Sequence, residues 1–214
     1  MTRWKYAINE AIETIDGVDD LVRLWAHEAL RLFEDRLVLD DEKQWCEKLI
    51  DEVAQRNFPS LSQSALERPI LFSNYLTKNY VSVDRFELKK YIEARLRIFY
   101  EEQLNVPIVV FDEVLEHILR IDRVLRQPLG HLLLVGASGV GKTTLSRFVS
   151  WLNNISVFQI KAGRNYSLQD FDEDLRNVMK RAGVKQEKIC FIFDESNCLS
   201  PAFLEKMNAL LASG

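Results

Sequence analysis

Eight consecutive residues carry the most specific chemistry in the chain. Gly136-Ala137-Ser138-Gly139-Val140-Gly141-Lys142-Thr143 fits the phosphate-loop pattern G-x-x-x-x-G-K-[ST]. Each residue type has a reason. Glycines let successive backbone N–H groups turn inward around a phosphate, and a helix starting at the loop adds the positive end of its dipole. A lysine at position 142 can reach β- and γ-phosphate oxygens, and the Thr143 hydroxyl, followed by Thr144, can ligate Mg²⁺. The bland alternative is a glycine-rich turn that opens a helix, but a chance match to the whole pattern is rare, and rarer with a flanking strand required. ATP and Mg²⁺ are the expected cofactors.

A second constellation fits the first. The apolar run Ile189-Cys190-Phe191-Ile192-Phe193 ends in Asp194-Glu195, about fifty residues after Thr143. Carboxylates at the end of a buried strand stand where ligands bind in open α/β sheets. Asp194 is expected to hold the Mg²⁺ shell, and Glu195 to act as general base on the attacking water. Acid pairs at strand ends are usually just solvated, so the pair draws its meaning from the loop before it. Pro107 and Ile108, in the segment Pro107–Val110, could line an adenine or simply pack in a core. Asn197 reads as a turn residue sooner than as a γ-phosphate sensor. Arg23 and Arg31 read as a solvated or ion-paired helix face.

The elements that must position these groups follow from periodicity. Residues 1–100 read as helical. Leu21, Leu24, Trp25, Leu32 and Phe33 recur at helical spacing, and a second helix is expected over Lys43–Asn57. Another starts at Asp84, an N-cap with Glu87 three residues on, and turns Leu88, Ile92 and Phe99 toward a core. Pro69–Leu76 could be a short strand or an extended arm. From residue 101 to 214, strand and helix alternate. Val114, Ile118, Ile121 and Leu125 make one helical face that Pro128 stops. A buried strand is expected over His131–Val135, a helix over Lys142–Asn153, and a strand over Ser156–Lys161. A helix capped by Ser167 and Asp170 should run over Ser167–Ala182 with Gly183 just beyond, followed by a strand over Lys188–Phe193. Alternation of this kind predicts an α/β domain with a parallel sheet flanked by helices.

Composition narrows the function classes. The chain has 214 residues, 47% hydrophobic and 28% charged, with 28 Lys+Arg against 32 Asp+Glu and a net charge of −4. That balance suits a globular protein and advertises neither nucleic acid nor an anionic membrane. No apolar run approaches the ~20 residues of a membrane span, so membrane insertion is not expected. Three scattered cysteines, Cys46, Cys190 and Cys198, argue for a reducing compartment and against a disulfide framework.

Several longer stretches resemble a known family. GHLLLVGASGVGKTTLSRFVSWLN, SVFQIK, SLQDFDEDLRNVMKRAG, EKICFIFDESN and FLEKMNALLASG resemble the fourth AAA+ module of cytoplasmic dynein heavy chains. LVRLWAHEALRLFEDRLV and ERPILFSNYL resemble the helical lid of the third module. The resemblance implies a P-loop NTPase (AAA+) sheet, incomplete at its C-terminus, preceded by an all-α lid over residues 1–100. It implies an ATPase module in a ring supporting minus-end-directed motility. Implied partners are the neighbouring AAA+ modules of the same heavy chain, microtubules, and dynein light and intermediate chains, in the cytoplasm and on the cytoskeleton. A fragment of this kind should bind ATP without efficient hydrolysis. The alternatives are a regulatory module that holds ATP with little turnover, or a P-loop kinase. The absence of an N-K-x-D motif counts against a GTPase. The resemblance also points to Arg23 as the lid's sensor arginine.

Overall fold

The computed structural model describes residues 8–103, 110–127, 130–163, 165–198 and 200–213. They divide into two compact units, Met1–Glu93 and Ala94–Gly214. No helix among the described residues is long and apolar enough to cross a membrane.

The first unit is helical apart from one small strand pair. Helix α1 spans Val18–Phe33 and α2 spans Asp40–Asn57. Leu24, Ala26 and Leu30 of α1 meet Cys46 and Ile50 of α2 in a core closed by Ile70, Phe72 and Tyr80. Leu32 and Phe33 share the α1 pattern but stay exposed at its C-terminal end. The segment left open between strand and arm forms β1, Phe72–Ser73, antiparallel to β2, Val81–Ser82. Helix α3, Arg85–Gln103, starts as its sequence requires: Asp84 Oδ1 accepts from the backbone N–H of Phe86 (2.8 Å) and Glu87 (3.0 Å). Leu88 and Ile92 of that helix are fully buried.

Arg23 is committed inside this unit. Its Nε donates to Ser82 Oγ (3.1 Å), Nη1 to the carbonyls of Ser64, Ala65 and Glu67 (each 3.1 Å), and Nη2 to that of Pro69 (3.3 Å). These bonds tie α1 to the connector before β1. A guanidinium so engaged staples the unit together.

In the second unit the helix predicted around Ile118 is α4, Asp112–Arg126, with Leu115, Ile118 and Ile121 buried. Helix α5 spans Lys142–Leu152, β3 spans Ser156–Gln159, α6 spans Leu168–Val184, β4 spans Ile189–Ile192 and α7 spans Pro201–Ser213. Strands β3 and β4 pair in parallel, with Gln159 opposite Ile192. Phe171 of α6 and Phe203 of α7 pack with Ile160 and the aromatic residues of the strand pair. Ser167 caps α6 in a reciprocal box with Asp170, a device that contributes about 1 kcal/mol. The helix absorbs Gly183 and ends one residue later, at Val184.

One expected element differs. His131–Val135 forms no strand, and Leu133 and Val135 are 85% and 87% exposed. An interior parallel strand is buried only when neighbours pair along both edges and helices cover both faces. Among the described residues the parallel sheet consists of β3 and β4 alone, and this apolar run has no ladder partner.

Arg181, near the end of α6, grips Glu187 just before β4 with Nε–Oε2 at 2.9 Å and Nη2–Oε1 at 2.6 Å. That bond, aided by one from Ser156, pulls the Glu187 carboxyl down to about 2. A depressed folded-state value stabilises the fold above the ordinary glutamate range and stops doing so as pH falls. The contribution should therefore fade between about pH 4.5 and about 2. Unfolding midpoints measured across that window should fall less steeply in Glu187→Gln. An identical acid limb in both proteins would show that the pair contributes nothing.

Candidate functional site

The loop Gly136–Gly141 leads directly into α5, so Lys142 is the first residue of that helix. Gly139 and Gly141 take φ of +83° and +85°, a left-handed conformation that side chains with a Cβ disfavour. A Cβ at either position would meet nothing within 4 Å; it would project into open space. Both glycines are thus demanded by the turn itself, and the space they leave lets a bound group approach the backbone closely. Lys142 Nζ reaches back across the loop and donates to the carbonyls of Gly136 and Ala137, each at 2.7 Å. Residues 136–140 are exposed, Ser138 and Val140 included.

Hydroxyls along α5 divide in two. Ser146 and Ser150 donate to the carbonyls four residues back, at 2.9 and 2.8 Å. Thr143 and Thr144 make no side-chain hydrogen bond among the described residues, which leaves the Thr143 oxygen available to a ligand. Helix α5 itself is firmly held. Phe148 and Trp151 pack on Phe99 of α3, Arg95 lies 4.8 Å over the Trp151 ring, and Trp151 Nε1 donates to Glu102 (2.7 Å). Asn153, at its C-terminal end, donates to the buried Asp122 of α4 (2.7 Å).

At its C-terminal end, β4 delivers Asp194 as the cap of a 3₁₀ turn, Glu195–Asn197. Asp194 Oδ1 accepts from Ser196 N (3.0 Å) and from the Ser196 hydroxyl. Its Oδ2 accepts from Gln159 Nε2 at 2.7 Å. Asn197 is buried and structural. Its Oδ1 accepts from Asp194 N (3.0 Å) and its Nδ2 donates to the Ile160 carbonyl (2.7 Å). That arrangement decides for the turn-residue reading. Glu195 stands exposed, and its carboxylate has no hydrogen bond or ion pair among the described residues.

The loop, Lys142 and Thr143 therefore share one helix start, while Asp194 and Glu195 share one strand end. Helix α5 packs against both β3 and β4 and joins the two groups. Pro107 and Ile108 lie outside the described residues. Gln159 was missed. Its signal was a polar residue at the carboxyl end of a strand, directly after Val157-Phe158, in register with Ile192 and so on the face that Asp194, two residues later, also takes. Arg147 of α5 donates through Nη2 to Gln159 Oε1, so it is engaged within the unit.

The donor set fits a nucleotide with its metal. Glycine space, loop amides and a lysine suit phosphates; a hydroxyl and a carboxylate are hard oxygen donors suited to Mg²⁺. Among the described residues no group of three or more His, Cys, Asp or Glu could hold a metal unaided. An ion at this place would draw its remaining ligands from water and phosphate oxygens, as Mg²⁺ commonly does.

Comparison with known proteins agrees with this chemistry. Residues 106–214 match the family model described as P-loop containing dynein motor region D4, and residues 1–43 match that of the dynein heavy chain ATPase lid domain. The whole chain is 74% identical to a cytoplasmic dynein heavy chain of Paramecium tetraurelia, of which it spans 5%. Identity is 62% to the Dictyostelium discoideum protein of the same name and 61% to that of Drosophila melanogaster, again over 5% of each.

Proposed function

The chain belongs to the dynein heavy-chain family through its P-loop motor region, and from that premise we propose that it is an ATP-binding and ATP-hydrolysing module of an AAA+ motor ring. The observation that carries the proposal is Lys142, at the start of α5, poised over a loop with two left-handed glycines. Gly136 through Thr144 hold the phosphates, with Lys142 exchanging the two loop carbonyls for β/γ oxygens. Thr143 and Asp194 hold Mg²⁺, which when bound would neutralise charge on the phosphoryl group. Glu195 takes the proton of the attacking water. Its freedom from other bonds suits that duty. Pro107 and Ile108 are proposed to border the adenine.

In the parent protein this module works beside neighbouring AAA+ modules of the same heavy chain. By analogy with relatives named cytoplasmic dynein heavy chains, that protein moves along microtubules in the cytoplasm, with light and intermediate chains as partners. Residues 1–100 act as the lid of the preceding module and residues 101–214 as the nucleotide domain.

The 214-residue chain alone should bind Mg-ATP with hydrolysis near background. Phosphoryl transfer relies on positioned positive charge, and a single arginine finger is worth ~10³–10⁵ in rate. Arg147 is engaged by Gln159, and Arg23 is occupied by the first unit. The second reading, an ATP-holding module with little turnover in the ring as well, rests on the same engagement. Calorimetry and phosphate release on one preparation test the proposal. Turnover of several per second, abolished by Glu195→Gln, would mean that the chain supplies its own transition-state charge.

A further inference from the structure

Three side chains from three elements form one bridge. Arg147 lies on α5, five residues after the loop lysine; Gln159 ends β3; Asp194 follows β4. Arg147 Nη2 donates to Gln159 Oε1, and Gln159 Nε2 donates to Asp194 Oδ2 at 2.7 Å. The amide can sit only one way round. Flipped, its N–H₂ would face the guanidinium and its oxygen the carboxylate, two donors and two acceptors opposed. Arg147 therefore dictates which end of Gln159 meets Asp194. It does so while its own Nε is buried without a hydrogen-bond partner among the described residues, so the guanidinium is not arranged for its own best bonding.

The carboxylate shows what is controlled. About four acceptor positions are available on a carboxylate. Ser196 N and Ser196 Oγ take two on Oδ1, and Gln159 takes one on Oδ2. The remaining position is on Oδ2, and the Gln159 bond sets its direction. Without that bond, Asp194 is anchored through one oxygen only and can turn about its terminal torsion, which is intrinsically soft.

We propose that Gln159, oriented by Arg147, is a positioning residue for Asp194, and that this bridge sets how strongly Mg²⁺ tightens nucleotide binding at the loop. The inference rests on the assignment of Asp194 to the Mg²⁺ shell. It adds a link between elements: the helix that opens with the loop lysine is joined to the carboxylate through two hydrogen bonds.

The test is calorimetric ATP affinity of the 214-residue chain in Mg²⁺ and in EDTA, the ratio of the two being the Mg²⁺ enhancement. Gln159→Leu keeps the shape and removes both polar ends. It should lower the enhancement roughly tenfold, the worth of one hydrogen bond to a charged group, and leave affinity in EDTA unchanged. In an Asp194→Ala background, adding Gln159→Leu should cost nothing further, because the target of the bridge is gone. Arg147→Met, at a half-buried position, should lower the enhancement in the same direction and carries the test if Gln159→Leu does not fold. Full enhancement in both bridge variants, with loss only in Asp194→Ala, would overturn the bridge and leave the site assignment standing. Equal weakening with and without metal, or full additivity with Asp194→Ala, would make Gln159 a packing residue and overturn the proposal. Undiminished enhancement in Asp194→Ala would remove the site assignment, and the bridge with it.

Discussion

Glu195→Gln, introduced into a heavy-chain ring whose other nucleotide sites are silenced, should lower hydrolysis at this site by roughly 10²–10⁴-fold while ATP stays bound. Amide and carboxyl have nearly the same shape, so the local packing is kept; what is lost is a group able to take a proton from water. The geometry favours this clean separation. Glu195 opens the 3₁₀ turn with its own side chain exposed and unbonded, whereas the adjacent Asp194 carries bonds from Ser196 and Gln159. Changing Glu195 should therefore leave the turn intact. Single-turnover phosphate release, set beside equilibrium ATP binding, reads the two quantities independently. Normal turnover at this site in Glu195→Gln would remove the residue from the mechanism.

Lys142→Ala should weaken Mg-ATP binding by about 2–4 kcal/mol, a loss of roughly 30- to 1000-fold in affinity, as expected for a charge-assisted contact in a partly desolvated site. In the ligand-free chain, Nζ rests on the Gly136 and Ala137 carbonyls at 2.7 Å. Those carbonyls belong to an exposed loop, so water can replace the lysine there. The folded state should thus be little affected, and the loss should appear in binding alone. Calorimetry on the 214-residue chain, with thermal unfolding of both proteins as a control, measures it. Equal affinity for ATP in both proteins would sink the assignment of Lys142.

Much of the architecture was legible before any coordinates, for local reasons. The Asp84 and Ser167 caps are read within four residues, because the bonds they make span no more than that. Helical faces such as Leu88–Ile92 and Ile118–Ile121 follow from a repeat the chain carries in itself. Leu32 and Phe33 continue such a pattern yet stay exposed, since periodicity marks a face and not how far its cover extends.

The proposed phosphate loop, its lysine and the carboxylates after β4 were legible in the sequence itself, because that chemistry depends on residue types at fixed short spacing. So were the expectation of a parallel sheet and the start of α6. Only the tertiary structure decided the rest. The fate of His131–Val135 depends on ladder partners that no local pattern supplies. Arg23 became a staple because a connector more than forty residues away folds its carbonyls around the guanidinium. Gln159 meets Asp194 because β3 and β4 align in a register that sets the two on one face, within reach of a helix positioned by aromatic packing. Each of these outcomes requires segments distant in the chain to meet, and that meeting is made by the buried core.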